Sequence, residues 1–450
     1  MTDTPIPDAR RRRGLLKAAL AWLLEIDRPI PERTPDELAA EVERNYPWNF
    51  TVNLLDGAFF WFGSAFISSS TILSLFLSKL TTNPLAFGVL AVITQAGWYI
   101  PQLLTANISE QIPRKKAVVV NLGFLTERLP VALLVPTAWV AGQSPLAGAL
   151  LLLGIYGWHS LGAGVLAVSW QDLIARTFPV NRRGRLLGLT QFLGAGMGTL
   201  GALVSTWLLE RFAFPTNFVY TFSIAAVFVM LSWGFLALTR EPVQRVTAVR
   251  RSNREYLASL PEVVRGDVNL RHFLMARALL ALGGMSVGFV TVSAVSRWQI
   301  PDATAGLYTF AWLIGQTFGN LALGFLADRR GHKLNLEIAA VMGLIAFMLA
   351  WLAPNPTWYF AVFALNGIIS GALFVSGILI VLEMCEPARR PTYTGISNTA
   401  VGIVGVAAPL LGAALAEVDY RLLFAVSALA YLAGFVLFRW WVREPRTSPP

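Results

Sequence analysis

The sequence predicts an all-α membrane protein in which twelve transmembrane helices form two six-helix bundles related by pseudo-two-fold symmetry. Three observations carry that expectation: a composition too apolar for water, a dozen apolar runs of spanning length, and a repeat that maps the first six runs onto the last six. Hydrophobic residues make up 55% of the 450 and charged residues 14%, whereas an ordinary soluble domain carries about 25% charged residues. Lipid offers no partners to backbone polar groups, so only helices and closed barrels span it. The runs here are continuous and rich in Leu, Ala and Gly, without the alternation of a barrel strand, so they are helices.

The N-terminal tail, residues 1–50, comes first. Arg10 to Arg13 and Lys17 precede or border Leu15, Leu16, Leu20, Trp22, Leu23 and Leu24, an apolar run too short to cross a bilayer. It reads as a basic amphipathic helix lying on an anionic inner leaflet. Thr34-Pro35-Asp36-Glu37 then has the form of a capping box with Pro at the first helical position, which predicts a short surface helix to about Arg44. Spans are expected near 51–78, 86–106, 117–138, 146–171, 185–208 and 216–239, forming a first bundle over 51–239. A polar central loop, 240–272, follows. The second bundle, 273–441, has spans near 273–296, 305–327, 334–353, 357–384, 393–416 and 420–441, and residues 442–450 form a C-terminal tail.

Charge gives the orientation. Of 36 Lys and Arg residues, 30 lie in the two tails, the central loop and the alternate short loops that share their face. Lys79, Arg211, Arg297 and Arg421 lie on the opposite face, and Arg128 and Arg277 lie within spans. Positive loops stay inside, so both termini are expected in the cytoplasm, with the chain in a cell's inner membrane. The net charge of +10 is thus a topology signal and points to no nucleic acid. The single cysteine, Cys385, excludes an internal disulfide.

The repeat is read from spacing. Gly88, Gly97, Ala106 and Glu110 match Gly306, Gly315, Gly324 and Asp328, each pair 218 positions apart. Gly188, Gln191 and Gly198 match Gly395, Asn398 and Gly405 at 207. Span two therefore corresponds to span eight, and span five to span eleven. A transporter built from such repeats places its site between them.

The loop after span eight carries a more specific pattern. Gly324-x-x-x-Asp328-Arg329-x-Gly331-x-Lys333 resembles the G-x-x-x-D-R-x-G-x-[RK] signature of the major facilitator superfamily, at the place where that family has it. The first half holds a degraded copy, Ala106 to Lys116, in which Ala, Glu110 and Pro113 replace Gly, Asp and Gly and Arg114 follows. Pro179-x-x-Arg182-Arg183-Gly184 and Glu383-x-x-x-Pro387-x-x-Arg390 are also similar to family loops. The resemblance covers about residues 50–442. It implies a monomeric secondary transporter of a small-molecule substrate whose spans one, four, seven and ten line the cavity. Physical chemistry gives the loop a role of its own. Gly324 permits close helix approach, Asp328 ends a helix, Gly331 allows a tight turn, and Arg329 and Lys333 reach carbonyls or lipid phosphates. Such a charged latch on one face holds a closed state. With it go Glu110, Arg114, Asp172, Glu383 and Arg390 as gate residues, Asp172 and Glu383 through salt bridges to the basic loops.

Ionisable residues inside spans are costly and mark function. Glu127 and Arg128 fall near mid-depth of span three, about 100° apart on a regular helix, and are expected to serve different partners. Glu127 is a proton-coupling or substrate group, or else a structural ion-pair partner. Asp56 is a coupling carboxylate or part of the inner gate. His159, beside Trp158 in span four, has the pKa range for proton transfer. Arg277, near the end of span seven, snorkels to the surface or binds an anion. Gln316, Asn320 and Asn366 are candidate cavity donors. Gly196-x-Gly198-x-x-Gly201 is formally a dinucleotide fingerprint, but no strand precedes it, and small residues four apart, as at Gly194/Gly198, Gly284/Gly288, Gly315/Gly319 and Gly367/Gly371, read as packing faces.

No phosphate-binding G-x-x-x-x-G-K-[ST] occurs, and no cofactor or metal is indicated. The three histidines and the cysteine are too scattered for an enzyme. Proton-coupled transport is the favoured reading, and aromatic-rich spans with few fixed charges tilt it toward efflux; uptake of a small metabolite and a non-transporting receptor on the same fold stay open. The charge asymmetry makes a direct prediction. A tag at either terminus is reachable only from the cytoplasm and a tag near Gln143 only from outside; labelling of a terminal tag on intact cells would overturn the assignment.

Overall fold

The computed structural model describes residues 14, 18–69, 71–81, 83–246, 252–300 and 302–447. Among these, ten helices are long and apolar enough to cross a membrane. The helices Pro35–Ala65 and Pro84–Glu110 complete twelve, because they pack as the repeat requires. Span three is Lys115–Gln143, span four Pro145–Thr177, span five Arg183–Arg211 and span six Thr216–Ala237. Spans seven to twelve are Val268–Trp298, Asp302–Arg330, His332–Leu352, Trp358–Glu383, Arg390–Val418 and Tyr420–Trp440.

Packing repeats with the sequence. Span one lies on five and six, two on four, and three on four and six; span seven lies on eleven and twelve, eight on ten, and nine on ten and twelve. Each half has its own aromatic core, with Phe66, Phe76, Phe218 and Phe222 in the first and Phe347, Tyr359, Phe424 and Tyr431 in the second.

Four expectations change. The first concerns span one, which is continuous from Pro35 to Ala65, so the expected boundary at 50 and the separate surface helix to Arg44 disappear. The capping box itself is present, with Glu37 N–H donating to Thr34 Oγ1 at 3.3 Å and Thr34 N–H to Glu37 Oε2 at 2.8 Å. The helix runs through Pro47 because tertiary bonds hold its next turns: Trp48 Nε1 donates to Leu238 O at 2.9 Å and Asn53 Nδ2 to Thr239 Oγ1 at 3.0 Å. Past Ala65 the Ser/Thr-rich stretch ends the helix, and Ile72–Ser78 resumes as a short one. Span seven breaks at the matching place, after Gly283, where a short tight turn at Gly284–Ser286 precedes Phe289–Trp298. The Tyr431 ring fills the space that a Cβ on Gly283 would need.

The second change is in span three, whose turns at Val118–Leu122 and Phe124–Arg128 are π-helical. The third is in the central loop, which contains an amphipathic helix, Asn253–Gly266, started by a Ser252–Glu255 capping box and anchored by buried Tyr256. The fourth is in the tail. Arg10–Arg13, Leu15, Leu16 and Lys17, the basic part of the expected amphipathic helix, lie outside the described residues. The part that follows packs on protein: Leu24 is buried against Ile112, Val118 and Leu166, and Arg114 donates to the carbonyls of Glu25, Arg28 and Pro29.

A clamp, duplicated in the two halves, fixes the termini-bearing face. Asn49 accepts from Arg240 N–H at 2.8 Å and donates to its carbonyl at 3.0 Å; Asn269 does the same to Arg443 at 2.7 and 3.3 Å. The next residue in each case, Glu241 or Glu444, accepts from the first N–H groups of span three (Lys115 and Lys116) or span nine (Lys333). Burial pushes both carboxyls above the usual range, against the pull of those N–H donors. Gly331 takes φ +87°, and a Cβ there would stand 2.4 Å from the Glu444 carboxylate. Two bonds closed by one asparagine predict similar penalties in the two halves. Asn49→Ala and Asn269→Ala should each cost about 1–3 kcal/mol, read as comparable drops in thermal unfolding temperature of the purified protein.

Candidate functional site: the seams between the halves

The halves meet along two seams, span two against eleven and span five against eight. Small residues let the backbones close. A Cβ on Gly188 would stand 2.6 Å from Asn320 O and 3.0 Å from Gly324 Cα, and one on Gly395 3.1 Å from Ala106 Cβ. These are the pairs equated by the repeat, so the same contact is made twice.

One turn closer to the termini, each seam is tied by a carboxylate. Asp328, at the end of span eight, accepts from the backbone N–H of Gly184 at 2.7 Å and of Arg185 at 2.9 Å, and from Arg185 Nε at 3.0 Å. Glu110, at the end of span two, accepts from Thr392 N–H at 3.2 Å and from the Thr392 hydroxyl. Each acid therefore caps the N-terminus of a helix in the opposite half, where orphan N–H groups and the helix dipole favour a negative charge. Between the seams, Ala175 and Leu187 of the first half bury against Val375, Leu379 and Leu382 of span ten, with Trp61 edge-on to Phe374 at 6.3 Å.

Toward the middle of the bilayer, Asn398 Nδ2 donates to Gln102 Oε1 at 2.5 Å, and Tyr99 packs on Gly402. The equivalent of Gln102 is Asn320, whose amide is buried over Gly371 with both atoms lacking a partner. Beyond this level, Gly196, Gly198 and Gly405 have nothing within 4 Å of a Cβ position. Contact is thus concentrated at the termini-bearing face. The expected small-residue faces hold for Gly194, Gly315, Gly319, Gly367 and Gly371, which are closely packed, whereas Gly198 and Gly288 face open space.

The gate candidates divide accordingly. Gly324, Asp328 and Glu110 bridge the halves. Asp172 bonds Arg176 at 3.0 Å and Lys115 at 3.4 Å, within its own half. Glu383 takes Arg446 at 2.8 Å and lies 3.4 Å from His332 Nε2; the same Arg446 reaches across to Val180 O at 3.3 Å. Arg390 Nε donates to Leu382 O at 3.1 Å, closing the end of span ten. Lys333 reaches the Arg439 carbonyl and Glu337 rather than a lipid phosphate.

The deep ionisable residues form a cluster inside the first half. Glu127 and Arg128 pair with each other, so the expectation of separate partners is corrected: in the π-helical turn Arg128 Nη1 reaches back to Glu127. The guanidinium also lies 5.0 Å over the Phe60 ring. His159 Nδ1 is 2.8 Å from the Glu127 carbonyl, and since a carbonyl only accepts, Nδ1 carries the proton. Asp56 takes the Ser232 hydroxyl at 2.6 Å and no basic side chain as a bonded partner. Trp158 stands on an exposed apolar stripe with Leu151 and Leu161. Asn366 spends its amide on Val362 O, and Gln316 bonds Ser370 at 3.3 Å. Arg277 does not snorkel; it lies against Gly377 of span ten, near Tyr99 and Tyr431.

Residues 274–450 match the family model described as Major Facilitator Superfamily. The match covers the second bundle and the C-terminal tail. Solute carrier family 22 member 2 of Oryctolagus cuniculus is 31% identical over 138 residues, 31% of this chain and 24% of that protein. Efflux pump hmp6 of Hypomyces subiculosus is 28% identical over 123 residues, 27% of this chain and 22% of that pump. The matches thus span about a quarter of these relatives' length. The likeness in fold extends further. A bacterial homologue of the iron transporter ferroportin in an outward-facing state has TM-score 0.69 at 15% identity, covering 87% of this chain and 98% of that one. The transporter FucP in an outward conformation has TM-score 0.67 at 15% identity, covering 88% and 99%. Proteins of this superfamily are not enzymes, and among the described residues no cluster suits a metal ion.

Sequence reading missed Gln102, Tyr99, Arg185 and Thr392. Asn398 had surfaced only as a repeat partner of Gln191. The signal available was position: Gln102, Arg185, Thr392 and Asn398 each lie one helical turn from a repeat-matched small residue, and Tyr99 lies one turn from Gln102. The two caps predict parallel behaviour. Asp328→Asn and Glu110→Gln keep size but lose the charge-assisted bond, worth about 1.5–3 kcal/mol. Each should raise maleimide labelling of a cysteine introduced at Leu187 several-fold, in a Cys385→Ser background, with unfolding temperature little changed.

Proposed function

We propose that this chain is a member of the major facilitator superfamily, a proton-coupled secondary transporter that moves a small organic solute by alternating access. It sits in a cell's inner membrane with both termini in the cytoplasm, and the described state is closed inside and open outside. The observation that carries this reading is the pair of cross-bundle caps on one face only, with open space along spans five and eleven toward the other. A latch made of a few charge-assisted bonds and an apolar plug is reversible in a way that a fused core is not. The outward-facing states of the structural neighbours support the same assignment. So does the fucose:proton symporter among them, at TM-score 0.69.

Export is the favoured direction, on the aromatic-rich spans with few fixed charges and on the relative named as an efflux pump. For coupling, the geometry favours Asp56 over Glu127. Glu127 already carries Arg128, while Asp56 is buried with a neutral hydroxyl, the arrangement in which a carboxyl loads and releases a proton most easily. The test uses proteoliposomes and two variants. Asp56→Asn should abolish accumulation driven by a pH gradient yet keep solute exchange down its own gradient. Glu127→Gln should instead lower thermal stability by about 3–5 kcal/mol, because Arg128 is left uncompensated. Intact pH-driven accumulation in Asp56→Asn would remove this residue from the coupling step.

A further inference from the structure

Two arginines lie deep within the spans. Arg128 has Glu127. Arg277 has no hydrogen-bond acceptor and no carboxylate among the described residues, and its Nε is fully buried without a partner. The titratable groups that act on it are the phenols of Tyr99 and Tyr431. A Cβ on Gly377 would stand 2.7 Å from its Nη2, so the guanidinium occupies room that a glycine in span ten leaves for it.

Arg277 is about 14 Å along span seven from Val268 at 1.5 Å per residue. Tyr99 belongs to the other half and packs on Gly402, one turn above the Gln102–Asn398 bond. A cation from one half and a phenol from the other therefore converge just above the closed seam. Arg277 is half-buried with only Nε enclosed, so an anion that reaches its free terminal nitrogens gains charge-assisted bonds there. Its planar fork suits a carboxylate held by two parallel bonds. With one cation and otherwise neutral amides nearby, charge balance calls for a monoanion.

We propose that Arg277 and Tyr99 form the binding site for an organic monocarboxylate, gripped by the guanidinium from the second half and bonded by the Tyr99 hydroxyl from the first. This rests on the alternating-access reading, since the ligand bridges the two halves that move. It also assigns a substrate class: amphipathic acids, with neutral and cationic analogues excluded by the empty charge they would leave.

The test is equilibrium binding on purified protein, independent of flux. Monocarboxylates from hexanoate to 1-naphthoate are compared with their primary amides by thermal shift, because a ligand of the native state raises apparent stability. At least one acid should raise the unfolding temperature by about 2 °C or more while its amide does not. Arg277→Met should unfold at a higher temperature than wild type without ligand, having lost an unpaired charge, and should show no acid-dependent shift. Arg277→Lys keeps the charge with fewer bonds and should bind about tenfold more weakly; Tyr99→Phe should weaken binding in the same direction and keeps the test decisive should Arg277→Met fold poorly. No shift with any acid, an amide as effective as its acid, or full binding in Arg277→Lys together with Tyr99→Phe would overturn the proposal. Failure here leaves the labelling response of Asp328→Asn and Glu110→Gln untouched, whereas failure of the gate leaves acid binding in place.

Discussion

Everything at the closed face depends on one interaction made twice: a carboxylate at the end of a helix in one half caps the first turn of a helix in the other. Asp328 does this to Gly184 and Arg185, and Glu110 to Thr392. The geometry is demanding, since the cap works only if the backbones approach closely, and that approach requires Gly188 against Gly324 and Gly395 against Ala106. The bonds are also limited in strength. Two charge-assisted contacts of about 1.5–3 kcal/mol each are of the size that shifts a two-state equilibrium from one extreme toward the other, about 5.5 kcal/mol.

The seams are not identical, although the repeat makes them equivalent. On the span two–eleven side Gln102 and Asn398 are bonded. On the span five–eight side, the matching Asn320 has both amide atoms buried and unpartnered. A buried amide without partners is costly, so this seam is the more strained at that level. Below it Arg185 adds a side-chain bond to Asp328, where Glu110 takes the Thr392 hydroxyl.

Within each half a second device stiffens the moving body. The Asn49–Arg240 and Asn269–Arg443 clamps, with Glu241 and Glu444 capping spans three and nine, tie the loop after the sixth helix to the first and third. The acidic residues of the basic face thus separate into those that stiffen one half, Asp172, Glu241 and Glu444, and those that join two, Asp328 and Glu110.

Fold class, helix count, the two-fold repeat and the signature-like loop around Asp328 were all legible in the amino-acid sequence. Apolar length, charge asymmetry and spacing are one-dimensional quantities that a bilayer converts directly into topology. Other features required three dimensions. The capping box at Thr34 and the apolar run from residue 51 read as two helices, but bonds from Trp48 and Asn53 to the loop after span six hold one. Glu127 and Arg128 diverge on a regular helix, yet in the π-helical turn the long Arg128 side chain folds back onto Glu127. Arg277 sat close enough to a span end to snorkel, and only the neighbouring Gly377 and the approach of Tyr99 keep it inside. Which charges find partners is decided by contacts between residues far apart in the chain, and that is why the repeat could be read from spacing while the site at its centre could not.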